Sequence, residues 1–459
     1  MINRIKMLKI LPLCLSLGLI GCSWFHEADL PKTNTPTKFN SVESNINVES
    51  LPYLAWWQQF NDDNLNYLIE SGLKNNLDIN IALSNLEQSK GQLKQIQLSW
   101  IPFVNLYGGY SSNPSLGDIG TFYGAWPQYS INILQLIQKQ KVAKYNVQTY
   151  EAMANGVRLT IIGQIASSYF SLISLQRQLE LFEKLNTDLG QIIKFNEQEI
   201  KIGLRDTLEV DGIKAEQYNI QGQIEVIKHN IQLSSNSLNY LLNENPGTIT
   251  NSNNFAKLDF SKFKPGDLPS NVLQNRPDVQ MAGFTLQASH ASVGVAYSHL
   301  FPIVQLDKFF GRGSSNGTYA SPNNYVSLQD AYLNWGINPS TFGQIEAGKG
   351  AYQSQVYTYI QTIRKVLRDV DNSLSANNRY NANYLKINLA LETLNDKYKL
   401  QKGLYSSGII SYPKLLQNKI ELDNAEINEN QAKLNQALAL VNLYQELAGG
   451  YKYSLPFKN

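Results

Sequence analysis

The sequence predicts a duplicated, mostly α-helical chain with a transmembrane β portion, in which each half joins a strand pair to a long coiled-coil hairpin. Three observations predict it. Residues 128–245 contain no proline and carry apolar residues on a seven-residue repeat. Two Tyr- and Gly-rich stretches alternate apolar and polar residues instead. Landmarks recur at nearly one spacing, as a duplication requires: Ile101-Pro102 and Phe301-Pro302 are 200 apart, Gly203 and Gly408 are 205 apart, and Ile131-Asn132 and Ile337-Asn338 are 206 apart.

The first 21 residues read as a signal peptide, with Arg4, Lys6 and Lys9 ahead of an apolar stretch from Ile10 to Leu19. Leu19-Ile20-Gly21-Cys22 has the form of a bacterial lipobox, in which small residues fit the peptidase and the Cys22 thiol takes a lipid. An ordinary signal peptide with an incidental cysteine is the alternative. Cleavage removes three cations and no acid, turning a formal charge of +2 into about −1, so nothing asks for nucleic acid. Cys14 leaves with the signal, so the processed chain has one cysteine and no disulfide. A hydrophobic share of 43% with 17% charged residues excludes both a disordered chain and a helical membrane protein.

Residues 22–50, rich in Asn, Thr, Ser and Pro, are expected to form an acylated extended tether. The first repeat covers 51–250. Trp56-Trp57 opens it, and apolar residues from Leu65 to Ile96 give helix as far as Trp100-Ile101-Pro102. Strands follow at about 103–112 and 121–134, with Tyr123, Ala125, Tyr129 and Ile131 on one face and Gln128, Ser130 and Asn132 on the other. The hairpin comes next. Ile165, Leu172, Leu179, Ile193 and Ile200 mark its seam, with Leu175, Phe182 and Leu189 between them. The seam breaks around Gly203 and resumes from Val210 to Leu241. A helix from about residue 139 to 201 would be roughly 90 Å long. No compact domain of this size needs such a rod.

A linker over 251–269 leads to the second repeat, 270–450, which follows the same plan. Strands are expected at about 303–311 and 326–338. A second proline-free run, 340–412, carries the seam Val356, Ile360, Ile363, Leu367, Val370 and Leu374, and Gly408 interrupts it as Gly203 did. Residues 451–459 form a tail.

The strands have the length of tilted membrane-spanning strands. Four cannot close a barrel, and an open edge in lipid leaves backbone groups unpaired. Several chains must then share one barrel: two copies give eight strands with a filled interior, three give twelve with room for a channel. A soluble four-stranded sheet beside a coiled coil is the alternative reading. Loops on the side away from the helices favour the membrane.

Taken together, Trp56-Trp57 with Phe60 and Asp62, Asn76-Leu77-Asp78, Arg276-Pro277-Asp278, Phe301-Pro302, Phe342-Gly343, the Gly408-Ile409-Ile410-Ser411-Tyr412 turn and Leu443-Tyr444 before Gly449-Gly450 resemble the TolC-like outer-membrane efflux factors. The resemblance is strongest to their lipoprotein branch, the NodT- and OprM-like proteins, and covers essentially the whole chain after Cys22. It implies a homotrimeric α/β barrel with a twelve-stranded β portion, a periplasmic helical tunnel and an equatorial belt that includes the 251–269 linker. It also implies an outer-membrane site in a Gram-negative bacterium, docking to a periplasmic adaptor and an inner-membrane pump. Asp63 stands where the family usually has proline, and Leu134 to Gln138 lacks the Phe-Gly that Phe342-Gly343 keeps. These departures bear on the first strand-to-helix junction.

The turns at Gly203 and Gly408 are the expected periplasmic tip, which in the family closes as an iris and meets the adaptor. Asp206 opens a capping-box pattern with Glu209, and Ser411 is its expected equivalent. The resemblance places an acidic gate residue at Glu209 and its tyrosine partner at Tyr405, hydrogen-bonded across neighbouring hairpins. Lys414 and Gln417 replace paired aspartates that some relatives carry around the pore. Lys414 can pair with Glu209 or Asp211, or stand as a solvated surface lysine. Arg276-Pro277-Asp278 reads as structural, with Pro277 at a first helical position and Asp278 favouring the helix N-terminus.

The four histidines show no metal-ligand spacing, and no phosphate loop, nucleophile elbow or carboxylate constellation is present, so neither an enzyme nor a cofactor beyond the Cys22 lipid is expected. The reading is a passive exit duct for small molecules moved by a pump elsewhere. Protein secretion through the same duct, a periplasmic adaptor or a structural lipoprotein are the alternatives. An adaptor usually has one hairpin, whereas this chain has two.

Overall fold

A computed structural model describes residues 26–31, 48–111, 120–203, 207–249, 255–260, 270–312 and 326–454. The signal peptide, Cys22, Asp206 and most of the linker lie outside them. Seven α-helices are described: α1 (Asp63–Asn75), α2 (Leu77–Leu98), α3 (Ile133–Lys201), α4 (Thr207–Leu241), α5 (Pro277–Ser298), α6 (Ser340–Ser406) and α7 (Tyr412–Glu446). The four described strands are β1 (Phe103–Ser111), β2 (Gly120–Ile131), β3 (Ile303–Arg312) and β4 (Val326–Asn334). At 69 and 67 residues, α3 and α6 are the long members of each hairpin. No described helix is long and apolar enough to cross a membrane.

Two compact units divide the chain, and each draws on both sequence repeats. One comprises Met1–Thr33, Leu83–Met153 and Asp278–Thr362; the other comprises Asn34–Ala82, Ala154–Pro277 and Ile363–Asn459.

The first unit holds one antiparallel sheet in the order β1-β2-β3-β4. Its two repeats meet at the β2–β3 pair, and β1 and β4 are left as edges. Register fixes the faces, because directly opposed residues in an antiparallel pair point the same way. Phe103, Gln128, Asp307 and Asp330 form one row, and Ser130, Gln305 and Tyr332 the next row on that face. The opposite face carries Tyr129, Leu306 and Ala331, then Ile131, Val304 and Leu333. One face is therefore rich in amide and carboxylate groups and the other is apolar. Pro127, which has no N–H, falls where the β2–β3 pairing is interrupted.

Both return strands end earlier than the sequence suggests. β2 stops at Ile131 rather than 134 because Asn132 caps α3: its Oδ1 accepts the Gln135 N–H (3.0 Å), and its Nδ2 donates to the Ser298 carbonyl (2.7 Å). β4 stops at Asn334 rather than 338, and Asn338 Oδ1 accepts the Ser340 N–H (3.0 Å) at the start of α6. An asparagine therefore turns strand into helix in both repeats, without the missing Phe-Gly in the first. The long helix accordingly begins at Ile133, six residues ahead of the expected start.

Part of the expected tether is docked. The Ala28 N–H donates to Gln287 Oε1 (3.1 Å), Gln287 Nε2 returns a bond to the Ala28 carbonyl (2.5 Å), and the Tyr145 hydroxyl donates to Glu27 Oε1 (2.8 Å). Burial, then the Glu27 carboxylate, push the Tyr145 phenol up to about 12. Val48–Tyr53, at the tether's end, is a 3-10 helix.

The second unit has a core of Trp56, Trp57, Leu65, Ile69, Ile162, Ile165, Phe170, Leu440 and Tyr444. Trp56 stacks on Tyr444 with ring centroids 4.7 Å apart. Asp62, fully buried, caps α1 by accepting the N–H groups of Asn64 (3.0 Å) and Leu65 (3.1 Å), and its other oxygen accepts the Tyr169 hydroxyl (2.7 Å). Asp63 simply occupies the first helical position that a proline would fill. Asn76 caps α2 through Ile79 N–H (3.1 Å) while its Nδ2 holds the Leu241 carbonyl (2.9 Å). The hairpin seam is a packed cluster: Phe182, Leu185 and Leu189 of α3 meet Ile220, Ile224 and Ile227 of α4, with Ile420 and Ile427 of α7 alongside.

Candidate functional site

The two hairpin turns are built alike. Gly203 (φ +77°) and Gly408 (φ +73°) both adopt the left-handed region, which a side chain rarely enters. An added Cβ would meet nothing within 4 Å at either position, so the backbone and not space requires glycine. At the second turn the Gly408 N–H donates to the Tyr405 carbonyl (2.9 Å) and the Ile409 N–H to the Leu404 carbonyl (2.9 Å), which closes the end of α6. Ile202 and Ile409 stand exposed beside these glycines. They are apolar groups at polar turns, a signal the sequence reading passed over.

Asp206 is outside the described residues, and Glu209 lies on α4 with its side chain outside them. Asp211 is exposed on the first turns of α4. Next to it Lys214 pairs with Glu197 of α3 (2.7 Å), a contact that raises the lysine and lowers the carboxyl. Ser411 occupies the cap position of α7 in extended conformation, but its hydroxyl makes no capping bond, contrary to expectation. Pro413 in the first turn leaves one fewer N–H to satisfy there. Lys414 donates to Gln417 Oε1 (3.4 Å) one turn along its own helix, not to Asp211.

Tyr405 is 40% exposed, and its ring lies 5.6 Å from that of Tyr412. Tyr412 in turn contacts Phe195 (5.6 Å) and donates to Gln191 Oε1 (3.0 Å). The structure thus joins the α6–α7 turn to α3 through an aromatic relay that the sequence did not suggest. Below it a polar ladder continues between α3 and α7. Lys419 reaches Asp188 (3.3 Å) and Asp423 (2.5 Å); Lys184 reaches Asp423 (3.0 Å) and Glu426 (2.6 Å). Arg177 pairs with Glu429 (2.8 Å), and Asn430 donates to the Ser174 carbonyl (3.0 Å). Burial works against the charge on Lys184, but its bonds to Glu426 and Asp423 outweigh that and raise it. These residues share a face only because two antiparallel helices far apart in sequence meet, so no local motif announced them.

Two further ties hold the join between repeats. Lys433, almost wholly buried on α7, donates to the Ala256 carbonyl (2.5 Å), and its ammonium lies 5.9 Å from the Phe255 ring and 5.8 Å from that of Tyr384. Burial lowers this lysine to about 8, against partial support from Glu429. Arg276 binds Glu446 through its carboxylate (2.6 Å) and its carbonyl, while the Asp278 carboxylate accepts the Val279 N–H (2.9 Å). The Arg276-Pro277-Asp278 motif is therefore structural, with its arginine carrying a tie the sequence did not reveal. No group of three or more His, Cys, Asp or Glu among the described residues is arranged to hold a metal ion.

The model of the family described as outer membrane efflux protein matches residues 68–244 and 268–449. The chain is similar to the cation efflux system protein CusC of Escherichia coli K12, with 23% identity over 459 residues, 96% of this chain and 99% of that protein. It is also similar to the solvent efflux pump outer membrane protein SrpC of Pseudomonas putida, with 26% identity, 86% of this chain and 87% of that protein covered. Among solved structures, the open state of the Neisseria gonorrhoeae MtrE outer membrane channel superimposes with a TM-score of 0.81 at 21% identity, covering 93% of this chain and 98% of that one.

Proposed function

The chain belongs to the outer membrane efflux protein family, and from that membership we propose that it works as a homotrimeric, lipid-anchored exit duct. It is an outer-membrane efflux channel. In our reading it passively conducts small molecules delivered by an inner-membrane pump through a periplasmic adaptor, and Cys22 carries the lipid. The observation that carries the trimer is the sheet: four amphipathic strands with β1 and β4 as free edges. Edges in hydrocarbon need partners, and three copies supply twelve strands, enough to enclose a channel. The helices agree. Val226, Leu233 and Tyr240 stand exposed on α4 at seven-residue spacing, and Leu385, Leu389 and Leu400 stand exposed on α6 at intervals of four and eleven, which are apolar faces left uncovered by the described residues.

Cation and solvent efflux, named for two of the relatives, support small solutes as cargo. We assign no catalytic role. Gly203 and Gly408 with their neighbours would form the closing, adaptor-facing end, with Glu209 and Tyr405 paired across adjacent hairpins and Lys414 in place of an anionic constriction.

Single-channel recording of the processed protein in planar bilayers, beside crosslinking of the same sample, tests this. Discrete conductance from a crosslinked trimer is expected, and Tyr405→Phe should raise the leak. Monomers without conductance would sink the duct; an unchanged leak in the variant would sink the gate pair.

A further inference from the structure

The α3–α7 ladder contains an arrangement that needs a proton. Asp423 is fully buried, and its Oδ1 accepts from both Lys419 (2.5 Å) and Lys184 (3.0 Å). Its Oδ2 is buried with no hydrogen-bond partner, while Oδ2 of Asp188, on α3, is also buried and has only the same Lys419 ammonium at 3.3 Å, too poorly aligned for a hydrogen bond, so the two carboxyls converge on one cation. Two carboxylates cannot hydrogen-bond each other while both are ionised. The local charge count points the same way: in the ion pairs of this stretch among the described residues, Asp188, Asp423 and Glu426 oppose Lys184 and Lys419. One proton makes the set neutral and supplies the missing donor. Among the described residues a further titratable neighbour comes from α6, where the Tyr398 ring lies 5.8 Å from Lys419 Nζ. On the α4 side the nearby polar group is the uncharged Gln217, bonded to the Asn186 carbonyl (3.1 Å).

We propose that Asp188 and Asp423 share one proton across the α3–α7 seam, and that this proton is a lock holding the two helices together. Removing it leaves an unbalanced negative charge in a buried seam and two carboxylates that repel. Burial, and then the bond to Asp423, raise the Asp188 carboxyl above its ordinary 3.8, against the pull of Lys419. The sign follows. A seam that has opened binds this proton less tightly than a closed one, so rising pH favours opening over the window from about 3.8 up to the raised value. Through this proton the seam is tightest at the lower end of that window. Its link to conduction rests on the duct reading above; the lock itself does not.

Amide hydrogen exchange of the full processed protein in lipid nanodiscs, corrected for intrinsic rates, reads the lock directly. In wild type the opening of residues 174–191 and 419–430 should increase by up to about tenfold per pH unit inside the window. Asp188→Asn keeps a neutral donor in place and should stay slow-exchanging across that window. A variant with the wild-type pH response would overturn the proposal. Should the variant not assemble, infrared spectroscopy of wild type with isotope-labelled aspartate gives a second reading. A protonated aspartic acid band persisting above the titration of exposed aspartates supports the shared proton, and its absence overturns it. An intact exchange response without conductance would refute the duct alone.

Discussion

Replacing Lys433 with methionine removes a charge from the join between the repeats. The lysine sits at 3% exposure with its titration lowered to about 8 from 10.5. That gap corresponds to roughly 3 kcal/mol by which the surroundings disfavour the ammonium relative to water. Below pH 8 folded and unfolded chains both hold the proton, and the folded chain bears the whole penalty. Between 8 and 10.5 the folded chain has released the proton while the unfolded chain keeps it, so the unfolding free energy rises with pH. Above 10.5 the penalty is gone. Methionine has no such penalty, but it removes the Lys433 bond to the Ala256 carbonyl, a loss of about 1–3 kcal/mol, and forfeits two ring contacts worth about 0.5–2 kcal/mol each. At pH 7 a loss of about 2–7 kcal/mol against a relief of about 3 kcal/mol places Lys433→Met between about 1 kcal/mol more stable and about 4 kcal/mol less stable than wild type. The difference between the two should then shift by about 3 kcal/mol in favour of wild type from pH 8 to 10.5. Guanidinium unfolding followed by helical circular dichroism measures both, and taking the difference removes the tyrosines that titrate in the same range. A difference that stays flat with pH would refute the reasoning, because the ammonium would then not be desolvated.

Gly72→Ala would place a Cβ 2.2 Å from Cδ1 of the buried Ile165, so a loss of about 1–3 kcal/mol is expected in thermal unfolding, and Ile165→Val, which deletes that carbon, should restore part of it. Asp62→Ala removes a cap and the acceptor of the Tyr169 hydroxyl bond, which together cost about 2–4 kcal/mol. Adding Tyr169→Phe should recover the part due to the hydroxyl, and equal unfolding midpoints for the single and double variants would show that the hydroxyl bond contributes nothing.

Periodicity and duplication carried most of the architecture. The seven-residue spacing from Ile165 to Ile200 and the alternation from Tyr123 to Ile131 are properties of local backbone geometry, so any partner that buries those faces gives the same elements. Gly203 and Gly408 were legible for a similar reason, since a left-handed residue between two long helices selects glycine. Element ends were less legible. The apolar-polar alternation runs on past Ile131 and Asn334, and only the side-chain bonds of Asn132 and Asn338 decide that helix begins there. The hydroxyl of Ser411 shows the reverse, a capping residue type that makes no cap.

By itself the sequence determined the repeats, the helix faces, the strand faces and the glycine turns, because each depends on residues close together in the chain. Tertiary structure alone decided which polar groups meet. Asp62 reaches Tyr169, Arg276 reaches Glu446, and Lys184 and Lys419 converge on Asp423 across gaps of 107 to 239 residues or along one buried helix face. A polar residue on a helix gives no sign of whether it will be solvated or buried. That is settled when a second helix covers it, and a buried charge then persists only if the covering helix also brings its partner.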